Sequence, residues 1–307
     1  MKKAIVFGGN GFIGSHVVDL LDRLGYDVTV FDRFSREPTY SAPARAIQGD
    51  FHDAAQVSAA LAGMDEVFHF LTSSTAASRG VNAPDDLASN VLPAVRLAQS
   101  AADHGVRRFV FASTGGAIYS SATPGPYKET DDLAPISAYG TGKLCIETYL
   151  DLICSQSSMQ SLVLRIANPY GTRQRPDRLQ GVIPIALRRV LDGQPLTRMG
   201  DGSMVRDYIW MDDLLERLAR LLEAPAPRNR VYNLGSGTGN TVNDVFEGIA
   251  QVTGIRPVIE TVPQPASYVQ SVTLDMSRFD DEFGTLPNST SLEAGITKLW
   301  EEINDGE

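Results

Sequence analysis

Apolar positions along this chain fall into two alternating rhythms. Ala4, Ile5, Val6 and Phe7 form a short unbroken apolar run with β-branched content, the pattern of a buried parallel strand, and the run stops at Gly8 and Gly9. From Phe12 the rhythm changes. Phe12, Ile13, Val17, Val18, Leu20, Leu21 and Leu24 recur at the spacing of a helix that lays one face on a sheet. The alternation continues, predicting strands at 27–31, 45–48, 66–71, 107–112 and 161–166 and helices at 57–61, 87–102 and 137–156. Strands alternating with helices make a parallel sheet covered on both faces, with ligands at the carboxyl ends of the strands. The predicted class is therefore α/β, a Rossmann-type doubly wound parallel sheet over residues 1–167. Beyond Asn168 the rhythm loosens, and Pro, Gly and Arg become frequent up to Arg206. Short strands are predicted at 205–209, 231–234 and 258–259, so residues 168–307 read as a smaller C-terminal α/β substrate lobe whose segments interleave with the first domain.

The order strand, glycine turn, helix carries the first chemistry. Gly8, Gly11 and Gly14 leave room for a pyrophosphate to approach the backbone, and the helix start at Phe12 and Ile13 offers it free N–H groups and a positive dipole end. The next strand delivers Asp32 about 20 residues further on, where a carboxylate accepts the ribose hydroxyls of an adenosine and repels a 2′-phosphate. NAD is expected rather than NADP. Arg33 alone argues the other way, since a guanidinium there pairs with a phosphate unless it is simply solvated. Asp50, Thr72, Ser73, Ser113 and Thr114 also fall at strand ends. Farther on, Tyr139 and Lys143 are four residues apart in a predicted helix, hence one turn apart on one face. An ammonium beside a phenol, joined by the positive charge of an oxidised nicotinamide, favours phenolate and suits Tyr139 to take a proton from an alcohol as hydride leaves the same carbon.

Composition narrows the partners. A formal net charge of −10 argues against nucleic acid or an anionic membrane surface as the main partner. The two cysteines, Cys145 and Cys154, have no metal or redox spacing and fit a reducing compartment as small buried hydrophobes. The opening MKKAIVFGG is too short and glycine-broken for a signal peptide, and no apolar run reaches the ~18 residues of a membrane span. A cytoplasmic protein is expected.

Several segments then occur together and in order: FGGNGFIG with Asp32, Gly49-Asp50-Phe51, Tyr139-Gly140-Thr141-Gly142-Lys143, Asn168-Pro169-Tyr170-Gly171, and GDGSMVRDYIWMDD from Gly200. In these the chain resembles the extended short-chain dehydrogenase/reductase family, in its NAD-dependent nucleotide-sugar epimerase/dehydratase branch and nearest the UDP-glucose 4-epimerase-like members. The resemblance implies a tightly held NAD that takes hydride from C4 of a nucleotide-activated hexose and returns it to the opposite face. It also implies a UDP-linked substrate and a place in carbohydrate metabolism and polysaccharide biosynthesis. By the same likeness Gly8, Gly11 and Gly14 cradle the pyrophosphate, Asp32 holds the adenosine ribose, and Asp50 and Phe51 border the adenine. Leu71, Thr72 and Asn90 border the nicotinamide half, Ser113 also meets the cofactor, Lys143 holds its ribose, and Tyr139 is the acid/base. Asn168 and Arg206 meet the sugar-nucleotide diphosphate, and Asp207 supports them as a neighbouring charge. No metal is implied. A homodimer is, through helices 87–102 and 137–156, with Leu92, Leu144, Tyr149 and Leu152 as surplus apolar positions.

The departures are as informative. Where the family has a Ser or Thr four residues before its VYG-like aromatic, counted here from Tyr119, this chain has Gly115, so Thr114 is expected to reach the sugar oxygen. Pro265 stands where relatives place an arginine on the diphosphate. Val272 stands where glucose-restricted relatives place a large aromatic, which predicts room for an N-acetyl group. Gly116 and Ala117 replace the Asp-Glu pair of the sugar 4,6-dehydratases, and Ala117 is neither the Glu of the decarboxylases nor the Cys of the epimerase-reductases. Net NAD-dependent dehydrogenation or reduction of a nucleotide sugar, and a non-catalytic NAD-binding protein, stay open beside epimerisation.

Overall fold

The alternating rhythms become, in a computed structural model of the chain, the elements β1 (Lys3–Phe7), α1 (Phe12–Arg23), β2 (Asp27–Asp32), β3 (Arg45–Gln48), α2 (Ala54–Ala60), β4 (Glu66–His69), α3 (Ala83–Asp86), α4 (Leu92–Asp103), β5 (Arg108–Thr114), α5 (Ala138–Ser155) and β6 (Gln160–Ile166). There follow β7 (Asn168–Tyr170), α6 (Val182–Leu191), β8 (Leu196–Met199), β9 (Val205–Trp210), α7 (Met211–Glu223), β10 (Val231–Leu234), β11 (Gly239–Thr241), α8 (Val242–Thr253), β12 (Ile259–Val262), β13 (Ser271–Val272), α9 (Ser277–Phe283) and α10 (Leu292–Asp305). The structure describes residues 1–74, 82–122, 125–176, 181–264 and 269–305; Pro265 lies outside them.

The chain divides into two units. The first comprises Met1–Ile118, Pro135–Arg165 and Leu221–Tyr232, and the second Tyr119–Ala134, Ile166–Arg220 and Asn233–Glu307. A seven-stranded sheet runs in the order β10-β6-β5-β4-β1-β2-β3, with β1, β2, β3, β4 and β5 pairing in parallel. The reversal of chain direction across the sheet lies between β1 and β4, so the carboxyl ends of those two strands open a crevice. In the first unit Ile5, Phe7, Phe31, Val67, Phe109, Phe111 and Val163 meet Leu97, Ile146 and Leu150 in one core. In the second unit, β11, β9 and β13 form a small sheet with β7 on β9, and β12 pairs with β8. Tyr170, Leu187, Tyr208, Trp210, Phe246, Ile249 and Ile296 fill its core.

Three of the predicted elements have different boundaries in the structure. The helix expected over 87–102 is broken by a π-helical turn, Leu87–Val91, before α4 begins. Pro93, near the α4 start, has no N–H to give the carbonyl four residues back, and the Leu92 N–H bonds Leu87 O, five residues back. The strand expected over 107–112 runs on to Thr114, and the helix expected over 57–61 starts earlier because Asp53 caps the N–H groups of Ala55 and Gln56.

Candidate active site

The turn between β1 and α1 works only with glycine at two of its positions. Gly8 has φ +82°, and a Cβ there would lie 2.8 Å from the Leu71 backbone; a Cβ on Gly14 would lie 2.1 Å from the Gly8 carbonyl oxygen. The carbonyl of Gly8 accepts from Gly11 N at 3.0 Å, which shapes the turn beneath the first residues of α1, Phe12 and Ile13. That twelve-residue helix presents its N-terminus to whatever occupies the turn. At the end of β2 the two Asp32 carboxylate oxygens each take one backbone N–H, from Asn10 and Phe34, both at 3.2 Å, and keep lone pairs for further donors. A glycine cradle that a Cβ would fill, with a carboxylate at the next strand end, fits a dinucleotide with free ribose hydroxyls. Asp32→Ala is expected to weaken NAD binding by about 1.5–3 kcal/mol, the cost of a lost charged hydrogen bond, as read by calorimetric titration. Tighter binding of NADP than of NAD to the unmutated protein would overturn this assignment.

Sequence reasoning missed the fastening beside that carboxylate. Asn10 accepts from Thr39 N at 3.3 Å and donates to Arg36 O at 3.1 Å, while the Arg36 guanidinium donates to Asn10 O at 3.0 Å. The loop after β2 is thus clipped to the glycine turn by Arg36 rather than by the Arg33 that stands beside Asp32 in sequence. On the next strand end, Asp50 is exposed, and bonds from the His52 backbone N–H and ring hold its carboxyl below the usual range. Phe51 puts its ring into the core against Phe7 and His69.

Around one cavity of the first unit stand Leu71, Thr72, Ser74, Asp86, Asn90, Tyr139, Gly142 and Lys143, above His69. Ser137 caps α5 by accepting from Gly140 N at 3.1 Å, so the helix begins just before Tyr139. A Cβ on Gly140 would meet the Ala117 carbonyl oxygen at 2.2 Å, which explains a glycine directly after the tyrosine. Lys143 is buried, donates to Ala112 O at 2.8 Å, and sets its ammonium 5.7 Å from the Tyr139 ring centroid. Burial lowers its pKa to about 8, against the opposing pull of Asp86 and Glu147. Burial pushes the Tyr139 phenol up to about 12, opposed by the nearby Thr114 side chain. Thr114, the last residue of β5, thus lies beside the phenol. Ser113 faces elsewhere: its hydroxyl bonds Glu147, which is paired at 2.8 Å with the equally buried Arg165. Asn90 accepts from Ser73 N at 2.8 Å, and its amide donates to Asp86 and Ser74.

His69 was not singled out by spacing. Its ring stacks at 5.7 Å on Phe111 and lies 5.2 Å from Phe51, and its Nδ1 has no hydrogen-bond partner. Burial, with Lys143 adding to it, depresses its pKa to about 3. The unfolded chain therefore takes up a proton below pH ~6.5 that the folded chain refuses until far lower. This contribution to stability is whole above the unfolded pKa and is lost as pH falls, by about 2 kcal/mol at pH ~5. Urea titrations at neutral and at mildly acid pH should show the loss, and His69→Leu should remove most of it.

In the second unit Arg206 lies at the centre of the small sheet, opposite Asn240 on β11 and Val272 on β13, and Asn168 lies opposite Tyr208 two residues along. The structure thus brings Asn168, Arg206 and Val272 onto neighbouring strands. Val272 is buried, and the Asn168 amide donates to Asp207 O at 3.1 Å. Arg206 donates to Val205 O at 2.7 Å. Asp207 has a structural employment: fully buried, it takes bonds from Ser236 N and Oγ, Gly237 N and Leu274 N, holding the turn after β10. Cys145 and Cys154 are both free thiols, half-buried in the first unit.

Residues 4–235 match the family model described as NAD dependent epimerase/dehydratase family. The UDP-glucose 4-epimerase of Mycolicibacterium smegmatis is 31% identical over 307 residues, covering 97% of each chain. Among solved structures, the Thermotoga maritima UDP-glucose 4-epimerase with UDP-glucose has a TM-score of 0.90 and 33% identity over 99% of both chains. The Thermus thermophilus UDP-glucose 4-epimerase in complex with NAD has a TM-score of 0.91 and 29% identity, covering 99% of this chain and 100% of that one.

Proposed function

Because the chain belongs to the NAD dependent epimerase/dehydratase family, we propose that it is an NAD-dependent 4-epimerase of a UDP-linked hexose, oxidising C4 transiently and returning hydride to the opposite face. The observation that carries this reading is the Thr114–Tyr139–Lys143 group at a cavity whose rim, at Leu71, touches the glycine turn. Bound oxidised nicotinamide supplies the hydride acceptor and a positive charge that favours phenolate. Tyr139 Oη takes the proton of the sugar C4 hydroxyl and later gives it back. Lys143 stabilises the phenolate from the next helical turn, and Thr114, near the same phenol, donates to the reacting sugar oxygen. Gly116 and Ala117 supply no acid or base, so elimination of water is not supported. Asn168 and Arg206 hold the diphosphate, where a planar guanidinium suits paired oxygens, and Val272 beside Arg206 admits an N-acetylated sugar.

Conversion of UDP-galactose to UDP-glucose with no net change in reduced-nicotinamide absorbance tests the reaction. Stoichiometric consumption of cofactor would replace epimerisation by net dehydrogenation, and NAD binding without sugar conversion would replace it by a binding role.

We also propose a homodimer through α4 and α5. Leu92, Tyr149 and Leu152 are 45%, 44% and 50% exposed, Leu87 in the π-helical turn is 54% exposed, and Leu144 is half-buried, more apolar surface than a solvated helix pair needs. Sedimentation at micromolar concentration should show a dimer, and Leu152→Lys should shift it to monomer. A cytoplasmic location is supported by the two free thiols.

A further inference from the structure

Asp86 ends α3, is only 2% exposed, and lines the cavity that holds Tyr139 and Lys143. A buried carboxylate needs compensation. Its described donors are the Ser74 hydroxyl at 2.5 Å and the Asn90 amide at 2.9 Å, both neutral, whereas the other acid near Lys143, Glu147, is already matched by Arg165. The helix facing it has been cut away to receive it: a Cβ on Gly142 would lie 2.2 Å from Asp86 Oδ2. Gly142 lies inside α5, in its second turn, where glycine costs about 1 kcal/mol relative to alanine, so the space has a reason.

We propose that Asp86 is the counter-charge of the Tyr139–Lys143 pair, admitted by Gly142 and held by Ser74 and Asn90, and that it is a positioning residue which sets the pH range over which the pair exchanges protons. The inference rests on the reading of Tyr139 as acid/base. The groups facing Lys143 are Asp86 from α3, His69 from β4, and Glu147 and Tyr139 from its own helix. His69 is neutral in the working range, and Glu147 is shared with Arg165, so Asp86 is the negative charge that the cavity itself presents. A negative charge there favours ammonium at Lys143 and disfavours phenolate at Tyr139, in agreement with the directions of its influence on both groups.

Removing the charge moves both titrations the same way. In Asp86→Asn, whose amide oxygen still accepts from Ser74 and Asn90, the phenol should ionise about one pH unit lower, read as the phenolate difference spectrum of the NAD-loaded, sugar-free protein against its Tyr139→Phe counterpart. In the pH profile of kcat/KM, the limbs that belong to the coupled Tyr139–Lys143 pair should shift down by about one unit. A purely structural role would lower the profile at every pH and leave its limbs in place, and that result, or an unshifted phenol in the folded variant, would overturn the proposal. Gly142→Ala keeps the carboxylate but crowds it out, and should reproduce the downward shift if Asp86→Asn does not fold. A shifted phenol in a protein that converts no sugar would uphold the role of Asp86 while overturning the epimerase reading.

Discussion

Tyr139→Phe is expected to lower kcat for sugar epimerisation by about 10³-fold, roughly 4 kcal/mol in transition-state stabilisation. The ring keeps its place against the Lys143 ammonium, so the substitution removes only the phenolic hydroxyl. NAD affinity, which we assign to the glycine turn and Asp32, should stay within about threefold. Stopped assays on the purified holoenzyme give kcat, and fluorescence titration of the apoprotein gives the dissociation constant. A loss of less than tenfold in kcat would mean that another group moves the proton. A large loss in NAD affinity would mean that the phenol serves binding more than chemistry.

The second large effect concerns stability. Glu147 and Arg165 are 7% and 5% exposed and bonded at 2.8 Å, with Ser113 as a further donor to the carboxylate. Glu147→Gln takes a carboxylate away from a buried guanidinium and should cost about 3–5 kcal/mol, visible as a lower urea midpoint at unchanged slope. Replacing both members of the pair, as Glu147→Gln with Arg165→Met, should recover much of that loss, because removing both charges leaves less buried charge to compensate. Additive losses in the double variant would show that packing, not charge, dominates the site.

The parts of the site that were legible in the sequence are local ones. Tyr139 and Lys143 lie one helical turn apart, and Asp32 ends the strand after a glycine turn, so periodicity alone places them. Asn168, Arg206 and Val272 could be associated only through the family resemblance, since the strands carrying them are far apart in the chain. Asp86, His69 and the Glu147–Arg165 pair stayed hidden for the same reason. Asn90 apart, the bonded and stacked partners named for them are 12 to 42 residues away, and a charged or imidazole side chain in a helix or strand looks solvated until the sheet is assembled around it. Helix 87–102 misled in a different way. Its apolar spacing survives the π-helical turn, and only Pro93 marked the place where the ladder had to slip.

The interleaving of the two units has a consequence for synthesis. The strand β6 enters the seven-stranded sheet beside β5 and takes β10 as its other neighbour, yet β10 begins 65 residues after β6 ends, at Val231 against Ile166. At about 5–20 residues per second a ribosome needs roughly 3–13 s to supply it. Through that interval the nascent first unit carries an apolar strand, Ser161 to Ile166, with one row of N–H and C=O groups open, among them the Val163 N–H that finally meets Arg230 O at 2.8 Å. An open edge of this composition pairs readily with another chain. Crowded polysomes are thus the setting in which this fold is most exposed to misassembly, and slowing translation between Ile166 and Val231 lengthens the exposure in proportion.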